Sequence, residues 1–217
     1  MKEVKKMKIT FDINNKKELK KLIKVLVKNG KFRGADLREA DLCGATLDQA
    51  DLSGASLHEA NLTDADLSQA LLFDTDLHGA ILNGADLYGA SLTEANLDEA
   101  DFSKASLRKA EFNSAQLTSA DFRDAVFHCA RFDKADLRTA DLTGADLRGA
   151  DLTGVNLTEA NLGSARLDKA DLRNSKFEGA DLRGSDINDA LQVEAHRATR
   201  TVRLGLPLVL PAHLEGV

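Results

Sequence analysis

The sequence repeats with a period of five residues, and this period constrains the fold more than any other feature. Residues 135–154 read ADLRT ADLTG ADLRG ADLTG. The same frame runs from Gly30 to Asp189 without an insertion or deletion, so 32 consecutive units fill 160 of the 217 residues. Self-similarity at a fixed short period predicts a repeat architecture with one elongated body.

The third residue of each unit, which we call the centre, is always large and apolar. Centres fall at every fifth residue from Phe32 to Ile187 and comprise 24 Leu, 7 Phe and 1 Ile. The residue two before the centre is Ala in 27 units and small in the others. Neither a 3.6-residue nor a two-residue period continues through this pattern, so neither an ordinary helix nor an ordinary strand accounts for it. The pattern indicates a short extended piece and a turn, repeated with two inward positions.

The motif A(D/N)LXX, as in ADLSQ at residues 65–69, resembles the pentapeptide-repeat family over about three-quarters of the chain. The resemblance implies an all-β solenoid, namely a right-handed quadrilateral β-helix with four units per coil. Residues 30–189 would then form about eight coils, with residues 20 apart as vertical neighbours. At a strand spacing of about 4.8 Å, the shaft would be on the order of 38 Å long.

Residues 1–29 differ from the repeats and are predicted to form an N-terminal cap. Apolar residues alternate with polar ones from Met7 to Ile13, which indicates a short strand. From Leu19 to Val27 the apolar residues follow helical spacing among many Lys residues, which indicates a basic amphipathic helix. Such a segment would cover the apolar end of a repeat stack. The alternative is a helix that contacts a membrane surface or an anionic partner.

Residues 190–217 also depart from the repeat. Residues 190–204 are compatible with a C-terminal helix that has Asp189 as its N-cap, and an apolar tail with two Pro residues follows. This segment is expected to cover the last coil, to pair with a second copy in a homodimer, or to be disordered.

The net charge of −6 is unevenly distributed. Residues 1–31 carry +8, residues 32–103 carry −13 and residues 104–190 carry −2. An acidic shaft repels phosphates, so direct binding of nucleic acid is not expected. No run of 18 apolar residues is present, so no membrane span is predicted.

The N-terminus lacks the apolar core of a signal peptide, and the chain has only two Cys residues, Cys43 and Cys129. These two residues lie about four coils apart in the frame, which is too far for a disulfide. A cytoplasmic location is therefore expected.

The sequence predicts no catalytic, cofactor or metal site. Asp precedes the centre in 15 units, which turn chemistry explains more readily than acid–base catalysis. His58, His78 and Asp98 are 20 apart and should form an outward ladder, but no fourth metal ligand is evident. No phosphate-binding loop or nucleophile elbow is present. The chain is therefore predicted not to be an enzyme.

The third coil contains four outward apolar residues that break the repeat. Leu71 and Ile81 replace the usual Asp or Asn, Phe73 occupies a normally polar position, and Tyr88 lies on another face. Isolated exposed apolar residues are common on protein surfaces, which is the alternative explanation. Our hypothesis is that Leu71 and Phe73 contribute to a partner or dimer contact, with Ile81 and Tyr88 as further candidates.

Two functions are compatible with these features. The first is a non-enzymatic binding or scaffold protein whose protein partner is unknown, because function would reside in the outward residues. The second follows from the resemblance, since some pentapeptide-repeat proteins mimic duplex DNA, act on DNA gyrase and topoisomerase IV, and confer quinolone resistance. The acidic first half suits that role. The absence of loops between coils and the near charge balance after residue 104 depart from that subgroup.

The five-residue frame places Leu97 in the interior, so Leu97→Asp is expected to be severely destabilising because it buries a carboxylate. Thermal unfolding of the purified variant measures this effect. An unchanged melting temperature would refute the frame.

Overall fold

The structure, a computed structural model, describes residues 32–187. The predicted strand and amphipathic helix of residues 1–29 and the predicted C-terminal segment of residues 190–217 lie outside the described residues.

The described chain winds into a β-solenoid whose coils are joined by parallel bridges. Each of 27 bridges pairs a residue with the one 20 positions further along the chain, from Asp36↔Ser56 to Arg166↔Asp186. Every bridge occupies a single residue directly before a centre, and residues 32–187 contain no longer strand and no helix. One coil therefore contains four units. This register confirms that residues 20 apart are vertical neighbours, and we call each vertical series of units a column.

The interior consists of the centres and the small residues two positions before them. Every centre from Phe32 to Leu182 is buried, and Ile187 is partly buried against the same core. Five Phe rings pack together in the middle of the shaft, with neighbouring centroids 4.8 to 6.4 Å apart: Phe102, Phe112, Phe122, Phe127 and Phe132. Each fully buried large side chain contributes roughly 1.5–3 kcal/mol to stability.

Hydroxyl groups that replace an interior Ala are hydrogen-bonded to the backbone. Thr75 donates to the carbonyl oxygen of Leu52 at 3.0 Å, and Ser175 donates to that of Leu152 at 2.7 Å. Among the described residues, every buried side-chain nitrogen or oxygen atom has a partner. The interior therefore tolerates a polar atom only where a carbonyl can accept its proton.

A β-turn closes each unit. In a representative unit, the amide of Ala60 donates to the carbonyl of Leu57 at 2.9 Å. The residue two after the centre has a φ between 53° and 73° in 31 units, and 20 of these residues are not Gly. A left-handed backbone costs a non-Gly residue roughly 1–2 kcal/mol. The cost is offset because this residue also donates its amide to the following coil, as Glu59 does to His78 at 2.9 Å.

The preference for Asp or Asn before the centre has a direct structural cause. Backbone carbonyls accept four of the five amides in a regular unit, and the amide after the centre remains. The side chain of Asp or Asn accepts this amide at 2.8 to 3.5 Å in all 18 units where both groups are described. These bonds are Asx-turns, which confirms that turn chemistry accounts for the repeated Asp.

Candidate functional site

Four large apolar side chains are exposed in the described part of the chain. Leu71 is 49% exposed, Phe73 42%, Ile81 43% and Tyr88 37%. They are the four residues that the sequence identified as departures from the repeat, and all lie in the third coil. Their exposure is confirmed, whereas their role in binding stays a prediction.

The structure brings only two of these four residues into one unit. Leu71 and Phe73 flank the buried centre Leu72, and both are exposed, Leu71 at the bridge position and Phe73 at the first residue of the turn. Ile81 belongs to a different column, where it bridges to Asn61 and Asp101. We refer to Leu71 and Phe73 together as the Leu71–Phe73 patch.

Tyr88 belongs to a third column, and its side chain contacts Lys109. Its hydroxyl lies 3.0 Å from the Nζ atom of Lys109, and the same ammonium lies 5.4 Å from the ring centroid. The hydrogen bond to Tyr88 raises the pKa of Lys109. Lys109 thus shields part of the ring, and Tyr88 offers less free surface than the Leu71–Phe73 patch.

The patch is not required by the chemistry of the turn. Leu71 has no side-chain oxygen, so it cannot accept the amide of Phe73 as Asp or Asn does in other units, and the same holds for Ile81. An intramolecular hydrogen bond of this kind is worth about 0.5–1.5 kcal/mol. Two units of one coil therefore forgo a turn bond and expose an apolar side chain instead.

Three acidic side chains lie in the units next to the patch. Asp51 bridges to Leu71 from the preceding coil, Asp74 directly follows Phe73, and Glu94 lies one coil above Asp74 in the same column. We call Asp51, Asp74 and Glu94 the acidic rim. Arg33 approaches Asp51 at 3.9 Å. No Lys or Arg of residues 32–187 lies within 4 Å of the Asp74 or Glu94 carboxylate, so the rim keeps most of its negative charge.

The predicted ladder of His58, His78 and Asp98 is also present. The two imidazole rings stack with centroids 5.1 Å apart. The Asp98 carboxylate accepts a hydrogen bond from the amide of Thr118 in the next coil at 2.7 Å. Among the described residues, no group of three or more His, Cys, Asp or Glu side chains is arranged to hold a metal ion. Cys43 and Cys129 are free and exposed.

A charged cluster around Asp146 was not identified from the sequence. Its carboxylate lies 2.9 Å from His128 Nε2, 2.7 Å from Arg148 and 3.6 Å from Arg166. Burial raises the pKa of Asp146, but the hydrogen bonds from Arg148 and His128 outweigh it and hold the pKa below its usual range. The column register would have revealed the cluster, because residues 128 and 148, and 146 and 166, are vertical neighbours. It links three successive coils and resembles a structural ion-pair network more than a reaction centre.

Arg residues neutralise the acidic charge in one half of the shaft. Where Asp precedes a centre and Arg follows it, the two side chains form an ion pair within the unit. Only one such pair lies before residue 104, and five lie after it: Asp36–Arg38, Asp121–Arg123, Asp136–Arg138, Asp146–Arg148, Asp171–Arg173 and Asp181–Arg183. The coil that carries the Leu71–Phe73 patch therefore lies in the strongly acidic half of the described shaft.

A comparison with family models identifies the repeat. The family described as Pentapeptide repeats matches in eight copies, which lie within residues 31–69, 70–108, 85–124, 105–144, 120–158 and 150–189. No curated protein matches the chain. None of the described residues forms a helix that is long and apolar enough to cross a membrane.

Several solved structures are similar to this chain. HetL, a pentapeptide repeat protein involved in heterocyst differentiation regulation from Nostoc sp. strain PCC 7120, is 39% identical over 74% of this chain and 76% of its own, with a TM-score of 0.46. A pentapeptide repeat protein of the Arabidopsis thaliana thylakoid lumen is 27% identical over 74% of this chain and 73% of its own, with a TM-score of 0.25. The plasmid-mediated fluoroquinolone resistance protein QnrB1 is 19% identical over 79% of this chain and 87% of its own, with a TM-score of 0.45.

Proposed function

Since this chain belongs to the pentapeptide-repeat family, we propose that it is a non-enzymatic binding or scaffold protein and that the Leu71–Phe73 patch contacts a protein partner. Ile81 and Tyr88 lie in other columns of the same coil and would extend the contact around the shaft. The interior of the stack is uniform from coil to coil, so selectivity for a partner falls to the outward positions.

One observation carries this proposal. In a single unit, both outward positions that flank the centre hold half-exposed apolar side chains, Leu71 and Phe73, whereas at most one of the two positions is apolar in every other described unit. Neither Leu71 nor Phe73 belongs to the core, which is formed here by Leu72 of the same unit and Thr75 of the next unit. Adjacent exposed apolar side chains on a rigid backbone are a feature of interaction sites.

The proposed architecture is a β-helix with an additional segment at each end. Residues 30–189 would form a right-handed quadrilateral β-helix of about eight coils, because its relatives in this family have that fold. Residues 1–29 would cap one end of the stack with a strand and a basic amphipathic helix. Residues 190–217 would form a C-terminal cap or a homodimer contact. The proposed location is cytoplasmic.

Replacing the patch by consensus residues should abolish partner capture. The variant Leu71→Asn/Phe73→Thr restores the turn acceptor, adds no charge and removes both apolar side chains. Full-length tagged protein and this variant are incubated with lysate of the native cell, and captured proteins are identified by mass spectrometry. A partner identified in this way is purified, and its affinity for the variant is expected to be at least about tenfold weaker than for the wild type.

The control for this experiment is Asp151→Asn/Thr153→Ser, which alters the corresponding positions of the same column four coils further on. It should capture the partner as well as the wild type does. Equal capture by wild type and the Leu71→Asn/Phe73→Thr variant would contradict the proposal.

A second function is favoured by the charge distribution. Residues 32–103 carry −13, and only one within-unit Asp–Arg pair, Asp36–Arg38, lies among them. An acidic rod of this kind would present a DNA-like potential to a type II topoisomerase, such as DNA gyrase. QnrB1, named as a plasmid-mediated fluoroquinolone resistance protein, is 19% identical to this chain, a level that shows the fold alone. The five Asp–Arg pairs after residue 104 limit that potential to about half of the described shaft.

A supercoiling assay with purified gyrase tests this second function. DNA mimicry predicts inhibition of supercoiling, or relief of quinolone inhibition, at micromolar protein. The Leu71→Asn/Phe73→Thr variant should be as active as the wild type in this assay, because mimicry depends on carboxylates that the variant retains. The absence of any effect, with and without a quinolone, would eliminate the topoisomerase role.

A further inference from the structure

We propose that the Leu71–Phe73 patch binds a basic amphipathic segment of its protein partner, one whose apolar stripe is flanked by Lys or Arg residues. This inference rests on the proposed binding function and adds the chemical class of the partner.

The Leu71–Phe73 patch is apolar, and its size matches the apolar stripe of a helix. Leu71 occupies the bridge position and Phe73 the first residue of the turn that follows, so their Cα atoms are at most about 7 Å apart. Residues i and i+4 on one face of a helix have Cβ atoms about 5–6 Å apart. Two successive apolar residues of a helical stripe can therefore contact Leu71 and Phe73 together.

The surroundings of the patch are polar and acidic. Along the column, Leu71 lies between Asp51 and Ser91, and the Phe73 position is followed one coil on by Thr93. Asp74 and Glu94 are exposed and succeed each other in their own column. Successive coils are about 4.8 Å apart, so these two carboxylates lie within reach of basic side chains that flank a bound apolar stripe.

The charge around the patch disfavours the other classes of partner. Nucleic acid and anionic membrane surfaces carry negative charge and are repelled by residues 32–103, whose balance is −13. In a symmetric dimer through the same surface, Asp51, Asp74 and Glu94 of one copy would face those of the other. Like charges placed opposite each other across an interface are costly, whereas a basic segment is complementary to the acidic rim.

The backbone beneath the patch is already fixed in the absence of a partner. The amide of Leu71 donates to Ala50 at 2.9 Å, and the Leu71 carbonyl accepts the amide of Leu52 at 2.8 Å. The Phe73 carbonyl accepts the amide of Gly54 at 2.9 Å. Because the shaft presents a pre-formed surface, little backbone entropy is lost on its side when a partner binds.

A labelled model peptide tests the inference directly. The probe is a helix-forming peptide of about 14 residues with a Leu stripe and Lys at the remaining positions. Its binding to the full-length chain is measured by fluorescence anisotropy. We expect saturable binding that weakens about tenfold in Leu71→Asn/Phe73→Thr, a variant with unchanged charge. Binding should also weaken in Asp74→Asn/Glu94→Gln and on raising salt from roughly 0.05 M to roughly 0.5 M.

Two matched peptides separate the two components of the contact. A peptide with Glu in place of Lys should bind at least about tenfold more weakly, because the rim repels it, and so should a peptide with Ser in place of Leu. Equal binding of the Leu/Lys peptide to wild type and Leu71→Asn/Phe73→Thr would overturn the inference. Equal binding of the Leu/Lys and Leu/Glu peptides would overturn it as well.

Two further outcomes overturn the inference in distinguishable ways. If sedimentation shows a concentration-dependent dimer that Leu71→Asn/Phe73→Thr abolishes, the occupant is a second copy. If a captured partner depends on the patch while the Leu/Lys peptide does not bind, the partner class is wrong and the proposed binding function stands. The binding function itself fails only if capture is independent of the patch.

Discussion

The shaft depends on backbone hydrogen bonds that join residues of adjacent coils. Because each bridge connects positions 20 apart, a gain or loss of one residue would move every later side chain out of its column. Of the 20 non-Gly residues in the left-handed region of the described chain, 16 donate their amide to the next coil through these bonds, whereas isolated turns favour Gly there. The ladder therefore enforces both the unbroken five-residue frame and the strained turn, while Leu and Phe centres supply the apolar burial that stabilises the stack.

Much of this architecture follows from the sequence, because a strict five-residue period fixes which two residues of each unit point into the interior. The buried centres, the outward His58–His78 ladder and the exposure of Leu71 and Phe73 were all predicted from the frame. The cluster around Asp146 was missed, since it joins three coils and is visible only when residues are aligned at intervals of 20. The structure places Leu71 and Ile81 in different columns, and their joint role in binding stays a prediction.

The residues that determine the fold and those that are free to bind are physically separate. Inward positions accept little besides Leu, Phe and Ala, whereas the residue before the centre varies more. Leu71 and Ile81 stand out at that position because they are both apolar and exposed. Charge also differs along the shaft. Residues 104–190 are nearly balanced by 13 Lys and Arg residues, five of them in Asp–Arg pairs within units, whereas the coils around Leu71 and Phe73 are acidic. The Leu71–Phe73 patch and the acidic rim therefore occur together in the acidic half of the described shaft.

Under the proposed function, Leu71 and Phe73 serve binding and not folding, and urea unfolding of Leu71→Asn/Phe73→Thr distinguishes the two roles. We expect a free energy of unfolding within about 1 kcal/mol of the wild type, because the restored turn bond offsets the apolar area that is lost. Leu72→Ala, a truncation of the buried centre between them, should cost about 2–5 kcal/mol. A loss in the double variant as large as that in Leu72→Ala would contradict the claim, since the two side chains would then be part of the core.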